Sequence, residues 1–399
     1  MAEFLVRDTR LFVSKDTENA VSTPETNYNA SIAGTTANFL RAVMTGRTFL
    51  VPSLETIDDL NKIGTGFENA STLRPNYWTQ PVLTLGEEAN VENMALMLVR
   101  ALSGSVTSGL VALMPDGTTS TPVGGPTEHI VLMQHPDVGR QLMSFNVVTQ
   151  GGYRSDSARG FDFRFPGMVV DSFQMGQNKG EVPTWSAELV GSGKFATPSG
   201  LVLASGANQV PDMIDQSYLS SASIGLVYTG QSGLVNLSAQ GRVHAWNFQF
   251  NNNVRRDDRR IGDPFRVSND PTSGAYTNHM EHGNRTCAFQ CTVATTEDLA
   301  EFILHRDNVQ VQNIILTLRG NLFVGTGAYA AQGAGVQRHN VLVEVTIPRS
   351  YVRGISNGDE NDTSVLTLDF FPVRTSQSQE YVTARILNGV NTYYPYAHA

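Results

Sequence analysis

The 399-residue sequence predicts a mainly β (α+β) fold in which one strand unit with a flanking helix occurs twice. The first observation is an internal repeat. Residues 161–191 (FDFRFPGMVVDSFQMGQNKGEVPTWSAELVG) and 341–373 (VLVEVTIPRSYVRGISNGDENDTSVLTLDFFPV) align when Pro166 is set on Pro348, an offset of 348 − 166 = 182 residues. Phe163 then falls on Val345, Phe165 on Ile347, Val170 on Val352, Phe173 on Ile355 and Gly176 on Gly358. After a one-residue gap, Trp185, Ala187 and Leu189 fall on Leu366, Leu368 and Phe370, with the period of two that a half-buried strand requires. The second observation is composition. Charged residues make up only 16% against 40% hydrophobic, so Ser, Thr, Asn, Gln and 36 glycines carry the polarity, as in β chains with many turns. The third is length, which exceeds what one core usually serves and favours two domains of about 180–200 residues. The expected division is 1–205, a linker at 206–222, and 223–399.

Taken in order, residues 4–14 (FLVRDTRLFVS) read as an opening strand. Residues 36–45 and 53–63 each join a capping residue to a closing glycine, Gly46 and Gly64, and are expected to be short helices. A longer helix is expected over 91–102, where Val91, Met94, Ala95, Leu98, Ala101 and Leu102 recur at steps of three and four. Residues 103–128 are dense in Gly, Pro, Ser and Thr and read as a long loop or projecting hairpin. Strands are expected at 129–134 and 141–150, ahead of the first repeat. In the second half, residues 242–250 (RVHAWNFQF) put His244, Trp246, Phe248 and Phe250 on one strand face. Residues 286–294 form a strand, 295–305 a helix with Glu297 and Asp298 in its first turn, where its dipole favours acids, and 313–318 a strand.

Several function classes find no support. A net charge of −9 argues against gripping nucleic acid from outside, which needs clustered cations to displace counterions. Cys287 and Cys291 lie four residues apart on one strand, about 13 Å at ~3.3 Å per residue, twice a disulfide's reach; no matching Cys or His pair suggests a zinc site, so both are expected to be reduced core thiols. No secretory leader or apolar run of about 18 residues is seen, so a soluble protein made in the cytoplasm is expected. His279, Glu281 and His282 lack zincin spacing, and the Gly325-Thr326-Gly327 loop lacks the third glycine or the lysine of a phosphate cradle. No catalytic constellation appears; the expectation is a non-enzyme without metal or cofactor.

One polar pattern repeats with the fold. Asp162 aligns with Glu344 before the proline, and Glu188 with Asp369 in the return strand. These four acids form either an ordinary solvent face or an acidic wall lining a channel. Arg255, Arg256, Asp257, Asp258, Arg259 and Arg260 form a mixed-sign run after a turn, either a solvated hairpin tip or an intersubunit or inter-ring charge clamp, since exposed pairs alone contribute only ~0–1 kcal/mol.

The stretches FPGMVVDSF (165–173) and WSAELVGSGK (185–194), with residues 241–263 and ARILNG (384–389), resemble tail tube domains. The chain looks like the major tail tube protein of long-tailed bacteriophages in a duplicated form. The resemblance covers 150–195 and 240–399 best. It implies tandem β-sandwich or split-barrel domains and homotrimeric, pseudo-hexameric rings that stack into a tube and conduct viral DNA without holding it. Its implied partners are further copies of itself and the terminator, distal tail or baseplate, and tape measure proteins, in the virion tail rather than at a membrane. Alternatives are a distal tail or baseplate ring, a capsid-decorating protein, or a carbohydrate-binding sandwich using Tyr393, Tyr394 and Tyr396.

Overall fold

The computed structural model describes residues 10–14, 39–42, 50, 54–59, 72–78, 80–104, 106–110, 126–133, 142–151, 161–195, 218–228, 235–236, 243–255, 281–294, 307, 312–322, 340–360, 363–373 and 381–389. The first half holds β1 (Arg10–Ser14), β2 (Phe39–Ala42), β3 (Leu54–Asp59), β4 (Thr72–Trp78), β5 (Val82–Glu88), α1 (Val91–Leu102), β6 (Val106–Leu110), β7 (Thr127–Leu132), β8 (Phe145–Gly151), β9 (Phe161–Asn178) and β10 (Thr184–Val190). The second holds β11 (Leu219–Tyr228), β12 (Val235–Asn236), β13 (Val243–Asn251), β14 (Thr286–Ala294), β15 (Gln312–Leu322), β16 (Asn340–Glu360), β17 (Thr363–Pro372) and β18 (Thr383–Asn388). The fold is mainly β: among the described residues all strand pairs are antiparallel, and only β3–β4 stand apart from one large sheet system.

The two halves repeat the same ladders residue for residue. In β9–β10, Thr184 faces Gly176, Ala187 faces Phe173 and Glu188 faces Ser172. In β17–β16, Val365 faces Gly358, Leu368 faces Ile355 and Asp369 faces Gly354, each β16 residue 182 beyond its β9 counterpart, as in 354 − 172 = 182. Both ladders then skip one residue, between Glu188 and Leu189 and between Asp369 and Phe370 on the return strands, bulging at Asp171 and Arg353. A second shared irregularity lies earlier. Phe145 faces Met168 and Val147 faces Phe165, just as Gln312 faces Ser350 and Ile314 faces Ile347. A bulge bends a strand and fixes which residues face which side beyond it. Two bulges at matched sites therefore give β9 and β16 the same path. The agreement extends outward: β1 and β2 on β8 correspond to β11 and β12 on β15, and β5 on β10 to β14 on β17.

Helix α1 has the bounds expected from its periodicity. Its N-cap Asn90 accepts a hydrogen bond from Asn93 N at 2.8 Å, and Ser103, left-handed at φ 49, closes it by donating its N–H to Val99 O at 3.0 Å. Only Glu92 escapes burial, so the helix is covered on all sides. Even Arg100 is enclosed, with its guanidinium 5.5 Å from the Phe145 ring centre. One hydrophobic cluster reaches from Leu11 through α1 to Ile386, so both halves share it.

Two further ladders join the halves: β13 pairs with β9, Ala245 facing Asn178 and Asn251 facing Ser172, and β18 pairs with β7, Thr383 facing Leu132. Asn252 adds side-chain ties, its Nδ2 donating to Ala101 O at 3.0 Å and to Val170 O at 2.8 Å.

The structure departs from the sequence reading at the early helices. Residues 39–42, within the first, form β2 paired with β1, and residues 54–59, within the second, form β3 paired with β4. Short helices are marginal without packing, and β1 and β4 supplied backbone partners along one edge of each segment instead. Within 103–128, Val106–Leu110 form β6, paired antiparallel with β7 from Thr127 onward. Leu219–Ala222, placed at the end of the linker by sequence, already pair with β15. The expected helix at 295–305 lies outside the described residues.

Candidate functional site

Seven strands run edge to edge in the order β5, β10, β9, β13, β14, β17, β16. Directly facing residues share a side of a sheet, so rows can be followed across all seven. One row is Glu88, Thr184, Gly176, Asn247, Gln290, Asp369, Gly354. A parallel row is Thr84, Glu188, Ser172, Asn251, Thr286. Between them lie Gly86, Ser186, Gln174, Gln249 and Ala288, and on the far side Asn178, Ala245, Thr292, Thr367 and Ser356. The opposite side of the same strands carries buried Leu83, Leu85, Phe173, Met175, Trp185, Phe248, Phe250, Phe289, Cys291 and Leu368.

The open side therefore consists of small and amide residues with three acids, Glu88, Glu188 and Asp369, and no lysine or arginine in these four rows. Gln290 donates its Nε2 to Asp369 Oδ1 at 2.6 Å, which orients that carboxylate across two strands. At the margin the bulged Arg353 lies 5.6 Å from the Phe371 ring centre. A shallow depression of about 290 Å³ opens on the same side, lined by Gln174, Gly176, Thr184, Ser186 and Asn247 among others. Gly176 is needed there, because a Cβ would sit 2.9 Å from Trp246 O in the neighbouring strand.

The structure divides the four repeated acids. Glu188 and Asp369 occupy equivalent positions and share this side of the seven strands, ~23 Å apart, from four strand spacings across the sheet and four residues along it. Asp162 and Glu344 lie earlier on the long strands, in other ladders. Asp162 faces Gln150 of β8; Glu344 faces Thr317 and Arg385, accepts a hydrogen bond from Thr317 Oγ1 at 3.3 Å, and belongs to a surface where Arg385 also pairs with Glu128. Of the basic run, Arg255 is exposed just beyond β13, while Arg256, Asp257, Asp258, Arg259 and Arg260 lie outside the described residues, as do Tyr393, Tyr394 and Tyr396.

Sequence reading passed over two acids. Glu88 belongs to the Asp369 row. Glu87 points the other way and is buried, accepting hydrogen bonds from the Asn90 and Asn93 side chains. Burial pushes its carboxyl up to about 7, with Glu88 adding to the rise and the two amides opposing it. The signal was available: a carboxylate three residues ahead of an asparagine N-cap can reach the cap. Cys287 and Cys291 are free thiols on β14, and burial, with Asp369 nearby, pushes Cys291 up to about 12. Among the described residues no three His, Cys, Asp or Glu side chains gather as a metal site, and no helix is long and apolar enough to cross a membrane.

No family model and no curated protein matches the chain. Among solved structures, a crystal structure of Hcp protein matches at 11% identity with a TM-score of 0.20, covering 37% of this chain and 86% of that one. A likeness that slight assigns no role.

Proposed function

We propose that the protein is a non-enzymatic, self-assembling virion subunit of a bacteriophage tail tube, in which three copies form a pseudo-hexameric ring and rings stack around a passage for DNA. The observation that carries the reading is the repeated sheet side itself. Glu188 and Asp369 recur at the same place in both halves, on a broad surface of amides and small residues bounded by Glu88. A wall of that chemistry repels a polyanion and offers it no cation within the four rows, Arg353 lying only at the margin, so DNA would pass without being held. Within the seven-strand wall the acids are Glu88, Glu188 and Asp369; Asp162 and Glu344, the other two lumen candidates, lie in the adjoining ladders of the same long strands. The terminator, distal tail or baseplate, and tape measure proteins would be its partners at the tube ends and within it, and Arg255 to Arg260 would lie between rings.

Electron microscopy of the purified full-length chain tests the reading: long hollow tubes are expected, single closed rings would favour a distal tail or baseplate role, and isolated monomers at all concentrations would end it. Changing Glu88, Glu188 and Asp369 together to lysine should leave tubes intact yet stall genome delivery. Unimpaired delivery would remove the electrostatic role.

A further inference from the structure

Where β1 and β8 meet, the sheet of β2, β1, β8 and β9 is buried on both sides. Leu11, Val13, Val147 and Phe165 enter the large core from one side, while Phe12, Phe39 and Val148 form a small cluster of their own on the other. Arg164 belongs to that second side, because it faces Val148, which in turn faces Phe12. Its side chain is only 8% exposed, and its Nε is enclosed without a hydrogen-bond partner. Among the described residues no carboxylate opposes the lowering of its pKa that burial causes. A guanidinium keeps its proton even so. A charge withdrawn from water is costly unless an opposite charge meets it, so this cation lacks the partner that its position demands. The repeat supplies an internal control. Position 164 corresponds to 346, since 346 − 164 = 182, and there the second half has Thr346, half-buried and facing Ile315, which faces Gly225. An uncharged side chain on an uncharged row fills the same backbone place, so neither the strand nor its ladders require a cation. What Arg164 adds is specific to the first half.

We infer that Arg164 anchors a binding site for a small oxyanion, a phosphate or a carboxylate, on the Phe12–Val148 side of this sheet. The planar fork of a guanidinium presents parallel N–H donors, which two oxygens of one such group accept together. Apolar neighbours lower the local dielectric, and that strengthens the attraction. The small opening left at Arg164 suits an anion of a few atoms and excludes a polymer such as DNA. The site is therefore separate from the acidic side of the seven strands, and it stands or falls independently of the tube reading.

Isothermal titration calorimetry of the full-length chain tests the site, with inorganic phosphate and acetate titrated separately in chloride buffers of matched ionic strength. One anion should bind per chain, and Arg164→Met, similar in length but uncharged, should weaken that binding at least tenfold. The two arms tell a tetrahedral from a planar ligand, and the tighter one names the class. Melting temperature gives a readout that a purely structural arginine would not produce. The bound anion should raise it by about 2 °C or more in the parent and not in Arg164→Met, while in chloride alone the variant should melt no lower than the parent. Arg164→Thr, which copies the second half, should behave alike and guards against a methionine that packs badly. Absence of saturable binding of both anions, or binding that survives in both variants, would overturn the site. So would equal losses of melting temperature in Arg164→Met and Asp162→Asn, the mark of an ion pair with the acid two residues earlier.

Discussion

Residues 172–178 of β9 and 354–360 of β16 are one stretch occurring twice, with equivalent facing partners and the same bulge, yet among the described residues one is flanked by strands on both edges and the other on one. Their residues have diverged in step with that difference. Where β13 covers the strand, the core side carries Phe173 and Met175; where no described strand pairs on that edge, the same positions are Ile355, half-buried, and Asn357, exposed. The ladder with the return strand is what both copies keep. What lies on the far edge sets how apolar each strand can be, because an uncovered strand end has no apolar partner to repay its exposure to water.

The comparison can be broken most forcefully at Phe173, which is fully buried and stacked on Trp185 with ring centres 6.3 Å apart. Phe173→Ala should lower unfolding free energy by about 3–5 kcal/mol in denaturant titration, against about 1 kcal/mol for Ile355→Ala at the half-exposed counterpart. Equal losses would mean that the two environments do not differ as described.

A pH-dependent contrast comes next. Glu87 faces Trp185 as Val293 faces Leu366, so a buried carboxyl stands where the second half has valine. Because its carboxyl is raised from 4.5 to about 7 in the folded chain, the stability it supports is complete below about 4.5 and is lost as pH rises through 7. Glu87→Gln should therefore add roughly 2–3 kcal/mol above pH 8 relative to the parent, with no gain at pH 4. A flat difference across that range would refute the assignment.

A smaller effect belongs to the glycines. Gly176→Val drives a side chain toward Trp246 O and should weaken the β9–β13 joint by about 1–2 kcal/mol, while Gly358→Val, whose nearest neighbour is the flexible Val365 side chain, should be nearly neutral in dilute solution. The smallest change is expected from replacing Glu188 and Asp369 with glutamine. Thermal melts should move by the equivalent of about 0.5 kcal/mol or less, since neither carboxylate supports the core.

The sequence made local order legible where periodicity was strong. The 91–102 helix, the 286–294 strand and the facing pattern of the two long strands all follow from spacing, since side chains on one face must recur at fixed steps. Long-range pairing was not legible. Nothing in residues 243–251 announces that they lie beside residues 172–178, because backbone edges carry no side-chain label. The residues at 36–45 and 53–63 read as helices because capping residues and glycines end strands as readily as helices. For the candidate site, the alignment singled out Glu188 and Asp369 but could not separate them from Asp162 and Glu344, since the bulges that send the strand ends into different ladders are invisible in an ungapped pattern. Glu88 escaped notice because it has no acidic counterpart: Ala294 occupies its place in the second half.

The β7–β18 ladder has a consequence for how the chain is made. Strand β7 ends at Leu132 and its partner begins at Thr383, so at ribosomal speeds of about 5–20 residues per second roughly 10–50 s pass before that edge meets its match. Throughout that interval the nascent first half presents an unfinished sheet beside a helix whose packing surface is still being synthesised. Crowded polysomes would bring many such unfinished edges together, so withholding chaperones during synthesis should lower the soluble yield of this protein.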